Sequence, residues 1–114
     1  MSTARQYPEK KEHPAHEKIQ QIADRLEALL HKTEKTTQFI MPQTEIDACA
    51  REVIDIINQY HASIYKFESY LKNAIIDLTE IPYMQPHVQK ISFEISVRAA
   101  LNNLQAFLTH TLML

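Results

Sequence analysis

The sequence predicts an all-α fold, specifically a three-helix antiparallel bundle with a long central helix that is completed by dimerisation. Between Pro42 and Pro82, ten positions alternate spacings of four and three residues, the pattern of a helix that packs along its whole length. These positions are Ile46, Ala50, Val53, Ile57, Tyr60, Ile64, Phe67, Leu71, Ala74 and Leu78. The chain also contains no glycine, which removes the residue that most tight hairpin turns require. Strand-like alternation between turn signals is likewise missing.

Length, charge and cysteine content limit the class of protein. A chain of 114 residues supports one domain with a hydrophobic core. The net charge is -2 and the signs are mixed along the chain, so no basic face for nucleic acid is expected. A single cysteine excludes an internal disulfide and suits a reducing, cytoplasmic compartment. No apolar run approaches the ~20 residues that span a bilayer, so membrane insertion is not expected.

The first helix is predicted over residues 14–35, after a disordered polar tail at residues 1–13. Together with the later helices it forms a single domain over residues 14–114. Pro14 suits the first turn of a helix, where its missing N–H costs nothing. The apolar stripe of this helix is Ile19, Ile22, Ala23, Leu26, Leu29 and Leu30. In the following loop, Phe39, Ile40 and Met41 are expected to fold back over the end of the bundle.

The central helix is predicted over residues 43–79, roughly 35 residues and about 50 Å at 1.5 Å per residue. The ten positions from Ile46 to Leu78 named above form the seam of this helix. The positions that flank the seam are apolar rather than charged, and include Cys49, Ile54, Ile56, Tyr70 and Ile75. A seam widened on both sides contacts more than one neighbouring helix. This favours a bundle over a two-stranded coiled coil.

The third helix is predicted over residues 86–112, with Pro86 in its first turn. Its apolar residues are Val88, Ile91, Ile95, Val97, Leu101, Leu104, Phe107, Leu108 and Leu112. From Ala99 to Leu114 there is no charged side chain. This uncharged stretch is expected either to lie in the bundle core or to form an intermolecular surface.

The unequal lengths of the helices predict self-association. The first helix can cover only the first half of a 50 Å central helix, which leaves a groove over its second half. The residues expected to line this groove are Phe67, Tyr70, Leu71, Ala74 and Ile75. A second copy of the chain or a partner protein is expected to fill it. A second copy is the simplest solution, because one patch serves both sides of a two-fold dimer. A homodimer is therefore expected for the protein alone.

A partner-binding site is predicted at Tyr65, Lys72 and Ile76. Tyr65 and Ile76 are eleven residues apart, so on one continuous helix they lie on nearly the same line, with Lys72 between them. They are the large apolar residues on an otherwise polar outer face. An aromatic and an aliphatic side chain beside a lysine suit a protein–protein contact.

Catalytic and metal-binding arrangements are weak in this sequence. No glutamate precedes a histidine by three residues, as di-iron bundles require. The pairs Glu12–His16 and Glu27–His31 are separated by four residues, and His13 and His16 are expected to be solvated.

Cys49 is interpreted as core packing rather than as a nucleophile paired with a histidine such as His61. Glu52 and Asp55 are likewise interpreted as non-catalytic, and these carboxylates are expected to form solvated ion pairs. Neither a cofactor, a metal nor a catalytic residue is predicted.

The chain as a whole resembles a family of small bacterial effectors. The features that carry this resemblance are a short polar tail, three glycine-free helices and an uncharged C-terminus that ends in THTLML. The family consists of small helical inhibitors that an intracellular pathogen secretes to restrain its own ubiquitin-directed deamidase and transglutaminase effectors. The resemblance implies a non-enzymatic protein that docks on a partner enzyme and blocks access to its substrate. It also implies secretion into a host cytosol without a Sec signal peptide.

Two alternative functions stay open at the level of sequence. One is a secretion chaperone or adaptor, a helical dimer that shields an apolar segment of a client. The other is a small bundle that binds a metal or a ligand. An inhibitor lowers the turnover of a folded enzyme, a chaperone binds an unfolded client segment, and a metal protein retains metal after purification.

Overall fold

The regular structure of the protein is helical throughout the residues that the structure, a computed structural model, describes, which are 13–82 and 85–112. The elements are α1 (Pro14–Glu34), α2 (Gln43–Ile64), a 3-10 segment (Tyr65–Phe67), α3 (Glu68–Thr79) and α4 (Pro86–His110). The prediction of an all-α protein is therefore confirmed. The helices occupy the three predicted stretches of chain to within a few residues. Residues 1–12 of the predicted disordered tail lie outside the described residues.

The starts of the helices follow from local sequence. Pro14 and Pro86 each stand in the first turn of a helix, where a missing N–H is tolerated. The ring Nδ1 of His13 accepts a hydrogen bond from the backbone N–H of Ala15 at 3.0 Å and so caps α1. His13 lies just outside α1, at the last position of the predicted tail, and its side chain satisfies an otherwise unpaired N–H.

The predicted central helix is interrupted. Tyr60 has φ -115° and ψ 16°, Ile64 has φ -123° and ψ 7°, and Phe67 has φ -118° and ψ 9°. These values depart from the α-helical region at three places within eight residues. The chain changes direction here, and α3 begins only at Glu68. The prediction of one 50 Å rod over residues 43–79 is therefore wrong.

Contacts of α1 show how the helices are oriented. Polar pairs between α1 and α2 are Arg25 with Glu52 (2.6 Å), Lys18 with Gln59 (3.4 Å) and His13 with Ser63 (2.8 Å). Polar pairs between α1 and α4 are Glu34 with Arg98 (2.5 Å) and His16 with Thr111 (2.5 Å). In both sets the residue numbers rise along one helix as they fall along the other. Both α2 and α4 therefore run opposite to α1.

The direction of α3 follows from its contacts with α4. Asn103 donates a hydrogen bond to Asp77 at 2.8 Å, and the rings of Tyr70 and His110 stack with centroids 5.2 Å apart. These pairs make α3 run opposite to α4, and hence opposite to α2 as well. The chain thus folds back on itself at the 3-10 segment. Each of α1 and α3 packs against both α2 and α4.

Because α3 folds back along α2, a single chain buries all ten positions of the seven-residue repeat, either fully or in part. Seven of the ten seam positions are buried and belong to a single core cluster: Ile46, Ala50, Val53, Ile64, Leu71, Ala74 and Leu78. The other three, Ile57, Tyr60 and Phe67, pack partly buried against that cluster. A straight rod would carry α3 away from α1 and α4. Burial of this apolar surface within one chain is the physical reason for the reversal.

The loop between α1 and α2 covers one end of the core only in part. Phe39 and Met41 pack against the core, and the ring of Phe39 lies 5.3 Å from that of Phe93. Ile40 points outward and is 83% exposed. The prediction that all three residues fold back is confirmed for Phe39 and Met41 and is wrong for Ile40.

The inward face of α4 has its own seven-residue pattern. Its fully buried positions are Phe93, Val97, Ala100, Leu104 and Phe107, spaced by four and three residues. With Leu108 and Thr111 they place much of the uncharged C-terminal stretch in the core. Ile91, Ile95 and Leu112 were grouped with the apolar residues of this helix, but the structure leaves all three exposed.

Candidate docking surfaces

The outer face of α4 carries the first candidate surface. Ile91 and Ile95 are 55% and 63% exposed and lie one turn apart. Val88 continues the same face by one more turn and is half-buried. Relative to Phe93, both isoleucines are rotated by about 200° around the helix, so they point away from the core. We call Val88, Ile91 and Ile95 the α4 stripe.

The basic residues on either side of the α4 stripe are engaged within the chain. Lys90 donates a hydrogen bond from Nζ to the backbone oxygen of Thr36 at 3.3 Å. Arg98 forms an ion pair with Glu34 at 2.5 Å. Both side chains therefore reach toward α1 and its following loop, rather than over the stripe.

The predicted partner site is exposed but is not a line on one helix. Tyr65 and Ile76 are 58% and 48% exposed, and Lys72 is exposed as well. Tyr65, however, lies in the 3-10 segment, whereas Lys72 and Ile76 lie on α3. The geometric argument that aligned them assumed a continuous helix, and that assumption is wrong. We call Tyr65, Lys72 and Ile76 the hairpin patch.

A buried carboxylate, which the sequence did not indicate, lies beneath the hairpin patch. Glu68 is only 6% exposed at the start of α3. One of its oxygens contacts Nδ1 of His61 in α2, and the other lies 3.5 Å from Nζ of Lys72. A buried carboxylate requires such partners, because desolvation of an unpaired charge is costly. The Glu68–Lys72 spacing was visible in the sequence, but the His61 contact depends on the reversal of the chain.

The predicted self-association residues are occupied within the single chain. Leu71 and Ala74 are each 0% exposed, and Tyr70 stacks on His110 of α4. Phe67 and Ile75 pack partly buried against the same core. The expected groove is closed because α4 and α2 flank α3 on both sides. A dimer was predicted because these residues were expected to line an open groove, and they form no open surface.

Two histidines that were expected to be solvated are structural. The ring Nε2 of His16 hydrogen-bonds Oγ1 of Thr111 at 2.5 Å, and the ring itself lies against Phe107. The ring Nε2 of His13 contacts Oγ of Ser63 at 2.8 Å. The two rings thus fasten the start of α1 to the ends of α4 and α2. No sequence signal marks the His16 contact, because its partner is 95 residues away.

Cys49 is part of the core, as predicted, and Glu52 forms a partly exposed ion pair with Arg25. Burial raises the pKa of the Cys49 thiol, while the positive charge of Arg25 acts in the opposite direction. The hydrogen bond to Glu52 raises the pKa of Arg25, so this cation persists. A thiol that resists ionisation is a poor nucleophile.

We expect native Cys49 to react with iodoacetamide much more slowly than the same thiol in denaturant. The raised pKa also makes the free energy of unfolding fall at alkaline pH. The unfolded thiol loses its proton from about pH 8.5 upward while the native one retains it. Urea titrations of wild type and Cys49→Ala between pH 7 and 10 measure this. An identical pH dependence in the two proteins would contradict it.

The chain shows no strong metal or membrane signal in the part that the structure describes. Within residues 13–82 and 85–112, no three side chains of histidine, cysteine, aspartate or glutamate are grouped to hold a metal ion. None of the helices in the same residues combines the length and the hydropathy that crossing a bilayer requires.

Comparison with known proteins finds no relative: no family model, curated protein or solved structure matches the chain.

Proposed function

We propose that the protein is a non-catalytic regulator that docks on a partner enzyme and inhibits it. The observation that carries this proposal is the α4 stripe, where two neighbouring isoleucines are each more than half exposed. Because each side chain is already partly buried, burial of the remainder against a partner contributes roughly 1–2 kcal/mol each. The resemblance to small bacterial inhibitors supports an enzyme as the partner, specifically a ubiquitin-directed deamidase or transglutaminase.

The spacing of the α4 stripe suits recognition by a groove. Val88, Ile91 and Ile95 follow one another at intervals of three and four residues, the spacing of helix side chains that insert together into an apolar groove. Helix α4 is also held in place, because Phe93 and Val97 on its inner face are fully buried. A rigid helix binds with a smaller loss of conformational entropy than a flexible segment. In this proposal α4 covers the groove where the enzyme receives its substrate.

The α4 stripe and the Tyr65 end of the hairpin patch lie toward opposite ends of the bundle. Lys90, within the stripe region, contacts Thr36 in the loop between α1 and α2. Tyr70, next to the 3-10 segment, instead contacts His110 at the far end of α4. The two surfaces are therefore distinguishable by mutation, and the α4 stripe is proposed as the main contact.

An inhibition assay tests the proposed function directly. Purified protein is titrated into a ubiquitin-directed deamidase or transglutaminase, and turnover of ubiquitin and complex stoichiometry are measured. We expect a defined complex and loss of turnover. Failure to bind or to inhibit such enzymes would overturn the proposal. Binding of an unfolded client segment without any effect on turnover would instead favour the secretion chaperone, and stoichiometric metal in the purified protein would favour a metal-binding bundle.

The double variant Ile91→Ser/Ile95→Ser is expected to weaken the complex at least about 30-fold, as for the loss of a binding hot spot. Both side chains point away from the core, so helicity and thermal stability should stay close to wild type. The matched control is Tyr65→Ala/Ile76→Ser, which removes the apolar side chains of the hairpin patch. Isothermal titration of both variants decides between the surfaces. A larger loss of affinity in the control would move the contact to the hairpin patch.

A further inference from the structure

The reversal between α2 and α3 is built from residues that carry no strong turn signal. Residues 60–67 (YHASIYKF) include no glycine, proline, asparagine or aspartate, and Ser63 is the only residue of a type common in turns. Tyr60, Ile64 and Phe67 also belong to the seven-residue pattern, which runs through the reversal without a break. Local sequence therefore supports the reversed segment and a straight helix alike.

The two conformations differ at few backbone positions. The remaining residues of 60–67 are already in α-helical or 3-10 structure. Changes of about 50–60° in φ and in ψ at Tyr60, Ile64 and Phe67 convert their observed values to those of an α-helix. The result is one helix over residues 43–79.

Residues 60–67 separate the bundle into two halves, and side-chain contacts join one half to the other. We call α1 and α2 the first half-bundle, and α3 and α4 the second half-bundle. The side-chain contacts between them include Glu34 with Arg98, Phe39 with Phe93, and His16 with Thr111. None of these contacts requires that both halves belong to the same chain. A straight segment carries the second half-bundle away from the first and leaves both inner faces uncovered.

We infer that two copies of this chain exchange their second half-bundles and form a domain-swapped dimer. In this dimer residues 43–79 are one straight helix, and each first half-bundle packs against the second half-bundle of the other copy. The buried surfaces and polar pairs between the halves form again across the two-fold axis, so little is lost besides the reversal itself. This inference goes beyond the proposed function and does not depend on it.

The side-chain contacts are shared by the closed monomer and the swapped dimer. The contact between His61 and Glu68 joins the two half-bundles, so it also forms again between the copies in the dimer. Lys72 is four residues from Glu68 on α3 and keeps the same spacing in both forms. The two forms therefore differ in the backbone of residues 60–67 and in their dependence on protein concentration.

The first test measures self-association of the wild-type chain. The protein is refolded from guanidinium chloride over a range of protein concentrations, and the molar mass is measured by light scattering after size exclusion. We expect a dimer whose fraction increases with protein concentration. Monomer at every concentration would overturn the inference.

A cross-link then identifies which chains supply the two halves. The variant Cys49→Ala/Glu34→Cys/Arg98→Cys replaces the ion pair between α1 and α4 with two thiols, which a short bifunctional maleimide joins. In a swapped dimer the link connects two chains, so the isolated dimer fraction migrates as a dimer on a denaturing gel. The monomer fraction gives only a link within one chain and is the control. A dimer fraction that migrates as monomer would mean that the copies associate without exchange, and would overturn the inference.

Discussion

Phe93→Ala is expected to destabilise the protein by about 3–5 kcal/mol, the usual cost of truncating a buried phenylalanine. Phe93 is fully buried, and its ring packs against Phe39 of the loop between α1 and α2. Its loss leaves a cavity where α4 meets α1 and uncouples the loop from the core. The free energy of unfolding, measured in urea by circular dichroism, should show the full effect.

Ile95→Ala is the matched control, because it truncates a large apolar residue two positions away on the same helix. Ile95 is exposed, so its loss should change the free energy of unfolding by less than about 0.5 kcal/mol. The pair of variants thus tests which face of α4 points inward. A cost at Ile95 that equals or exceeds the cost at Phe93 would contradict the described orientation of the helix.

Leu71→Ala is expected to cost about 2–5 kcal/mol, and the loss should not depend on protein concentration in the monomer range. Leu71 was predicted to lie in a dimer groove, but it is fully buried inside one chain. A residue of a dimer interface would instead affect stability more strongly as concentration rises. Thermal unfolding at several protein concentrations distinguishes a residue buried within one chain from a residue of a dimer interface.

Lys72→Ala serves as the control for Leu71→Ala on the neighbouring position. Lys72 is exposed and lies 3.5 Å from Glu68, which keeps its contact with His61 when Lys72 is removed. Its removal should cost less than about 1 kcal/mol, as for an exposed ion pair. In monomeric protein, a cost for Leu71→Ala no larger than the cost for Lys72→Ala would place Leu71 at the surface and restore the predicted groove.

Local periodicity explains why most of the core could be predicted. The spacing of Ile19, Ile22 and Leu26 specifies the buried face of α1, and the same rule applies along α2 and α3. In α4 the pattern was present from Phe93 to Phe107, but further apolar residues obscured it. The spacing of Val88, Ile91 and Ile95 fits the buried face of a helix equally well. Which of the two apolar faces of α4 is buried therefore depends on the neighbouring helices, which local sequence does not identify.

The reversal between α2 and α3 could not be predicted from local sequence. Residues 60–67 carry no strong turn signal, and the seam runs through them without interruption. Burial against α1 and α4 decides between a rod and a hairpin, and this burial depends on contacts between distant residues. The same is true of the candidate surfaces, since the exposure of Tyr65 and the burial of Glu68 both depend on the reversal.

The most direct test of the account is the distance between the two ends of the segment 43–79 in the monomer. Spin labels at Asp47→Cys and Glu80→Cys, in a Cys49→Ala background, report this distance by pulsed dipolar spectroscopy. The pair Gln21→Cys/Asp55→Cys, between α1 and α2, is short in either arrangement and serves as the control. Because α3 folds back along α2, the account predicts a distance below about 25 Å, from an interaxial spacing of 8–10 Å plus the label arms. A distance near 50 Å, which a straight helix requires, would contradict it.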